Sequence, residues 1–256
     1  PLESTYLDPQ ERLFLKNTWS LLEDAGYTPE TLVKGNSEDN LVGVFAGVMW
    51  NDYRLYSGLP GLKEFGMTNS SIWNIPNRVS YFFNFKGPSI GLDTACSSSL
   101  TAMHFACESI KKGECKMAIA GAVNLILHPH KYVNLAKMKL LSDNGRCRSF
   151  GDNATGYVPG EGVILFLLKS LKEAEKDGDN IYGVIKANAI NHGGKMRSFN
   201  KPNSEAQSLL IKDLLRKADI DKTTITYFEA HGTGTTIGDP IEIESMHKAF
   251  GSSESP

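Results

Sequence analysis

Two stretches of the chain carry residue types and spacings that could do chemistry. The first is GPSIGLDTACSSSLTAMHFA, which opens at Gly87 and holds a cysteine at Cys96. The residues before it read as a short strand, Ser89 to Thr94. Those after it read as a helix, Ser97 to Lys112, stopped by Gly113. A side chain at such a junction sits on a sharp turn and is exposed. A helix start offers N–H groups without intrahelical partners and a partial positive charge. Both favour a thiolate, the nucleophilic form, and can bring an ordinary thiol pKa of about 8.5 down into the neutral range. The same N–H groups could hold the oxyanion formed when a thioester is attacked. On the pattern alone a second reading stands beside this one: a serine-rich helix start with an inert, buried cysteine.

The second stretch is ITYFEAHGTGT, Ile225 to Thr235. Its opening residues read as a strand and its end as a glycine loop. Gly232 and Gly234 let the backbone turn tightly and let a substrate approach. In α/β proteins ligands bind at such strand ends. His231 stands between the strand end and the glycine loop. A histidine before a glycine loop can equally be structural. Thr233 and Thr235 follow it, and their hydroxyls suit either a turn or a ligand.

Stepping outward, helices and buried strands alternate along the chain. Asp8, Pro9 and Glu11 open a helix as cap, first residue and capping box, with Leu15, Trp19 and Leu22 on one face and Gly26 as its stop. A polar loop runs to Asn40, and Leu41 to Val48 is apolar and short enough for a buried strand. Asn51 to Asn69 is irregular, and Pro76 to Phe83 is helical. Cys115 to Val123 and Gly162 to Lys169 read as strands. Pro129 to Lys139 and the charged stretch to Lys176 read as helices. Tyr182 to Ala189 and Ile225 to Ala230 read as strands. Ser204 to Ala218 is a helix with Ser204 and Gln207 as capping box, and Asp239 to Phe250 is the last helix, with Asp239 and Glu242 as its cap and box. The class is α/β with buried strands. The tail Ser252 to Pro256 is polar and expected to fray.

At 256 residues, 41% of them hydrophobic, the chain can bury one large core or two small ones. A net charge of -2 without a basic block argues against nucleic acid. The apolar run from Val163 to Leu168 is far shorter than a membrane span. No two of the four cysteines form a C-x-x-C pair, so no metal site is expected. Unpaired thiols suit a reducing cytoplasm. Cys107, Cys115 and Cys147 are expected to be buried and inert. Glu161, between glycines, is expected to be an architectural carboxylate. His104 is expected to be buried or at a subunit contact, and His247 solvated. His192, in INHGG, is expected at a turn.

The motifs in register resemble the ketosynthase family of polyketide and fatty-acid synthases, in the thiolase superfamily. They are DPQERLFL from Asp8, GVFAG from Gly43, NRVSYFFNFKGPS from Asn77, DTACSSSL from Asp93, GRCRSF from Gly145, GYVPGEG from Gly156 and EAHGTGTTIGDPIE from Glu229. VPGEG and INHGG are similar to ketosynthases of modular bacterial polyketide synthases, including those with freestanding acyltransferases. The resemblance implies a thiolase-like fold, layered α/β/α/β/α. Residues 1–178 would form an N-terminal half carrying Cys96, and 179–256 the beginning of a C-terminal half carrying the His231 loop.

The resemblance also implies a reaction. Cys96 would carry an acyl chain, and a malonyl-type extender would condense with it by decarboxylative Claisen chemistry, as in polyketide or fatty-acid biosynthesis. His231 would donate to the extender's thioester carbonyl, with Thr233 and Thr235 near the pantetheine arm. No cofactor would be bound directly, since acyl carrier protein brings its own 4′-phosphopantetheine. Complete members pair as homodimers, and the aromatic stretch from Trp73 to Phe85 would lie by that contact. The family's later Asn-x-Gly-His motif is not found in these residues. The chain therefore reads as an interior fragment, with weak or no condensation expected of it. Two alternatives remain open: an acyl-transfer module that loads Cys96 without condensing, and an inactive dimerisation scaffold. Thiolase fits less well, because its nucleophile context differs from DTACSSSL.

Overall fold

A computed structural model of the chain describes residues 2–32, 41–58, 70–196, 198 and 201–251. The expectations for 33–40, 59–69 and the tail 252–256 lie outside the described residues. The chain divides into two compact units: Pro1–Lys131 with Gly160–Val184, and Tyr132–Pro159 with Ile185–Pro256.

The first unit opens with α1 (Leu2–Tyr6) and α2 (Pro9–Asp24). Asp8 caps α2, its carboxylate accepting from the Gln10 N–H at 2.8 Å, and Pro9 sits where a missing N–H does no harm. Glu11 closes no capping box. Its buried carboxylate instead pairs with the Arg78 guanidinium of a later helix, which also reaches Glu3 at 2.9 Å. The buried face of α2 is Gln10, Glu11, Phe14, Thr18 and Leu22, one step round from the expected stripe, and Trp19 is 43% exposed. The indole is excluded from the core because Thr18 and Phe14 already occupy the face that meets the sheet.

After α3 (Pro29–Leu32) comes β1 (Val42–Gly47), buried at every residue. It lies between β2 (Ser89–Leu92) and β3 (Met117–Asn124), parallel to both, and β4 (Gly162–Lys169) closes the sheet antiparallel to β3, in the order β2-β1-β3-β4. Between β1 and β2 stand a 3-10 turn, Asp52–Gly58, and α4 (Asn74–Phe83); α5 (Ser98–Lys111) follows β2. The central strands β1 and β3 are covered on both faces, as buried parallel strands require, while Ile164 and Phe166 of β4 stay exposed. Val42, Val44, Ala46 and Val48 face a cluster with Phe14, Leu22, Val79 and Ile119, from α2, α4 and β3. Phe45 faces the other way, into Ala102 and Ala106 of α5 and Ala118 and Ala120 of β3. Alanines on both partners let helix and sheet approach closely. Then α6 (His130–Lys137) follows β3, and α7 (Leu171–Asp177) follows β4, capped by Ser170 and stopped by Gly178 at φ 71°.

In the second unit α8 (Ser204–Lys217) packs with α9 (Gly238–Phe250). The cap of α8 is Asn203, whose side chain accepts from Glu205 N and Ala206 N at 3.1 and 3.2 Å. The Ser204 hydroxyl instead accepts from Lys248 of α9 at 3.1 Å, beside a Lys248–Glu205 ion pair. The strands expected at Tyr182–Ala189, whose first three residues belong to the first unit, and at Ile225–Ala230 are absent. Neither Tyr182–Ala189 nor Ile225–Ala230 has a ladder partner among the described residues, and a strand without one is not a strand. Their side chains stand in solvent accordingly, with Tyr182 82% and Tyr227 76% exposed.

Burial pushes the Asp8 carboxyl up to about 6, against the opposing pull of the Gln10 N–H, and neighbouring Glu11 adds to the rise. The folded state therefore holds this proton more tightly than the unfolded chain, and stability is lost as pH rises through the interval between the two pKa values. Asp8→Asn keeps a capping oxygen and removes the buried charge. Above about pH 6 it should stabilise the fold by up to about 3 kcal/mol. Thermal melts should show that advantage fading below about pH 4, where Asp8 is neutral in both states.

Candidate active site

Cys96 lies in the elbow between β2 and α5. Asp93 accepts from the Ala95 N–H at 2.8 Å, and Ala95 takes a left-handed conformation, φ 56°. For a residue with a Cβ that conformation costs about 1–2 kcal/mol, so the surroundings must impose it. They do so through hydroxyls. Buried Ser98 donates to the Ala95 carbonyl at 2.6 Å and accepts from the Thr94 N–H at 2.9 Å. Ser97 donates to the Thr94 carbonyl at 2.8 Å, and the Thr94 and Thr101 hydroxyls bond at 3.1 Å. Ser97 is the cap residue of α5 but makes no capping bond with its side chain, so the positive end of the helix is not answered there. Cys96 itself is exposed and in no disulfide.

The other thiols differ. Burial pushes the Cys107 and Cys115 thiols up, which suits inert packing. Cys147 was expected to be buried and is exposed. Its sulfur accepts from the Val158 N–H at 3.1 Å and ties two strands of a loop together, so its polar role holds it at the surface. His104 is half-buried against Phe105, His247 is exposed, and His192 accepts from the Gly194 N–H at 3.0 Å.

His231, Thr233 and Thr235 share one loop of the second unit. Gly232 and Gly234 there have φ of 52° and 68°, as the turn demands. The loop is clamped by two carboxylates of α9. Glu242 accepts from His231 N at 2.6 Å and from Gly232 N at 2.8 Å. Buried Asp239 accepts from Gly234 N at 3.0 Å and from Phe150 N at 2.7 Å. Neither caps α9, as the spacing suggested. The polar atom nearest that role is the Thr235 hydroxyl, which accepts from Gly238 N at 3.0 Å. The carboxylates turn back because the loop offers several N–H donors at once, and a charged acceptor makes the stronger bonds. Thr233 and Thr235 bond to each other at 2.9 Å, and Ser149 donates to the Gly232 carbonyl.

At the carboxyl edge of the sheet, Glu161 accepts from Ile126 N at 2.6 Å, the architectural role expected of it. Sequence reading missed its neighbour Lys131, 2% exposed, which donates to Asn124 at 2.5 Å while Asn124 donates to the Gly160 carbonyl at 2.6 Å. Burial lowers the Lys131 pKa, and Asp52 and Glu161 oppose the fall. Nothing in the spacing of HPHKY distinguishes a buried lysine from a solvated one.

With both loops placed, comparison with known proteins decides the family. The model for the beta-ketoacyl synthase N-terminal domain matches residues 1–174, and that for its C-terminal domain matches 182–256. The chain belongs to the beta-ketoacyl synthase family. Polyketide synthases PksL and PksM of Bacillus subtilis are 50% and 52% identical over 254 residues, 98% of this chain and 6% of each relative. An oxazolomycin ketosynthase domain from Streptomyces albus superposes with a TM-score of 0.92 at 49% identity, over 98% of this chain and 42% of that one. The ketosynthase from module 6 of the bacillaene synthase of Bacillus subtilis gives 0.88 at 40%, with the same coverage. The fold of this ketosynthase-family chain is thiolase-like, as the resemblance implied. Among the described residues no helix is long and apolar enough to cross a membrane.

Removing the Glu242 carboxylate should loosen the His231 loop first. Hydrogen-exchange mass spectrometry of Glu242→Ala should show the His231 and Gly232 amides exchanging about ten-fold faster or more, since bonds to a charged acceptor are worth about 1.5–3 kcal/mol. Unchanged protection would mean the loop holds itself.

Proposed function

We propose that the chain serves ketosynthase chemistry in polyketide biosynthesis, with Cys96 as nucleophile and His231 as hydrogen-bond donor, these residues by themselves loading Cys96 and condensing weakly or not at all. The observation that carries this is the exposed Cys96 on a strained elbow at a helix start, within a sequence of that family. In the first half-reaction the Cys96 thiolate attacks the carbonyl carbon of an acyl thioester. A new carbon–sulfur bond forms, the old one breaks, and the carrier's pantetheine thiolate leaves and takes a proton. The oxyanion formed on the way is met by the N–H groups at the start of α5.

In the second, a malonyl-type thioester loses carbon dioxide. The electron pair released becomes an enolate, whose oxygen needs a donor, and neutral His231 supplies one. The enolate carbon attacks the acyl carbon on Cys96, and the Cys96 thiolate departs. The Glu242 clamp fixes the backbone from which the imidazole hangs. Thr233 and Thr235 stiffen the loop and border the path of the pantetheine arm. The partners are acyl carrier protein and its thioesters, and the pantetheine arrives on the carrier.

The family halves would divide near 178, and we assign the protein to the reducing cytoplasm, in keeping with four cysteines in no disulfide. A homodimer is supported by β2 being an edge strand with exposed Ile90, and by exposed Trp73, Tyr81 and Phe82 on and beside α4.

Incubation with an acyl-pantetheine thioester should add the mass of one acyl group, mapped to the peptide bearing Cys96 and lost in Cys96→Ala. A folded protein that gains no mass is a scaffold. If the acyl group loads but added malonyl carrier protein yields no β-ketoacyl product, the chain is an acyl-transfer module.

A further inference from the structure

The elbow needs something to hold its two arms together, and the residue bordering both belongs to neither. Gly47 ends β1. On one side it is the ladder partner of Leu92, the last residue of β2, and the next residue, Val48, donates to the Leu92 carbonyl at 3.0 Å. On the other side it lies against the first turn of α5. A Cβ built on Gly47 would stand 2.6 Å from the Ser98 carbonyl carbon, 2.8 Å from its oxygen and 2.8 Å from Ser99 N. These are backbone atoms of a helix, which no rotamer change can move aside. Gly47 does not have a positive φ, so glycine is not required there for its conformation. What the position requires is the missing side chain.

We propose that Gly47 is a positioning residue for Cys96, letting the first turn of α5 seat directly on the end of β1, with Ser98 locking that turn to the elbow from the opposite side. The inference rests on the reading of Cys96 as nucleophile and adds what sets its environment. The Ser98 hydroxyl holds Thr94 and Ala95 on the strand side of the cysteine, and the Ser98 backbone meets Gly47 on the sheet side. Other tight glycines bear on other contacts. A Cβ on Gly121 would strike the Ile164 carbonyl of β4, and one on Gly91 the Ile72 carbonyl. With Gly47, the contact bears on the helix turn whose N–H groups and partial charge act on the sulfur. A displacement of a few tenths of an ångström there should weaken thiolate stabilisation without dismantling the core.

The readout is the pH profile of Cys96 alkylation by iodoacetamide, followed by mass spectrometry of the Cys96 peptide in the whole chain. Gly47→Ala should move the pH midpoint up by about half a unit, lowering the rate below the midpoint about three-fold. Ser98→Ala, which adds no atoms to the packing, should move it the same way. Leu22→Ala, a cavity in the cluster on the other face of the sheet, should lower the melting temperature and leave the midpoint in place. A folded Gly47→Ala with an unmoved midpoint overturns the proposal; if that variant does not fold, an unmoved midpoint in Ser98→Ala does so. A wild-type midpoint near the ordinary thiol value of about 8.5 would instead count against Cys96 as nucleophile.

Discussion

Ala102 and Ala106 of α5 share one cluster with Ala118 and Ala120 of β3 and Phe45 of β1, and their small side chains let the helix approach the sheet closely. That close approach is the constraint on which the site depends. A helix held this near to a sheet cannot slide to relieve its first turn, so strain at the turn stays where the chain puts it. The left-handed Ala95 persists because Asp93, Thr94, Ser97 and Ser98 each spend a hydrogen bond on the elbow. With so many small polar groups committed to the backbone, Cys96 stands out in solvent rather than collapsing into the core. Small side chains on the α5 face of the sheet, serines at the elbow and an exposed thiol are therefore one arrangement.

The second unit reaches rigidity by charge instead of by packing. Its glycine loop has little side-chain bulk to bury, and glycines lose the most entropy on being ordered. Glu242 and Asp239 compensate by collecting N–H donors from His231, Gly232, Gly234 and Phe150. Two carboxylates one helical turn apart on α9 thus fix a loop that no hydrophobic contact could. The same economy is visible in the first unit, where Lys131, Asn124 and Glu161 tie down the loops at the carboxyl edge of the sheet.

Much of this was legible in the residues. β1, β3 and β4 are runs of apolar residues of strand length, and the strand–Cys96–helix order could be read before any coordinate. The buried face of α2 differs from the expected stripe because Trp19 offers far more apolar surface than Thr18, while the packing has room only for the smaller residue. The strand-like segments from Tyr182 and from Ile225 illustrate another limit: periodicity reports a preference, and a ladder requires a neighbour that local sequence does not name. Asp239 and Glu242 fit the spacing of a helix cap. That their oxygens turn back to a loop five to eleven residues earlier is a tertiary choice invisible to spacing. Buried Lys131 and exposed Cys147 reverse the usual burial of their residue types, each beside a polar partner, Asn124 or the Val158 N–H, that lies 7 or 11 residues away.

The central claim is that the elbow makes Cys96 a reactive thiol and not merely a visible one. Cys147 provides an internal control, since it is also exposed and lies on an ordinary loop. The direct measurement is competitive labelling of the two thiols within the same wild-type molecules at pH 7 with limiting iodoacetamide, read peptide by peptide. The account predicts that Cys96 is labelled about ten-fold faster or more. Equal labelling, or a preference for Cys147, would contradict it.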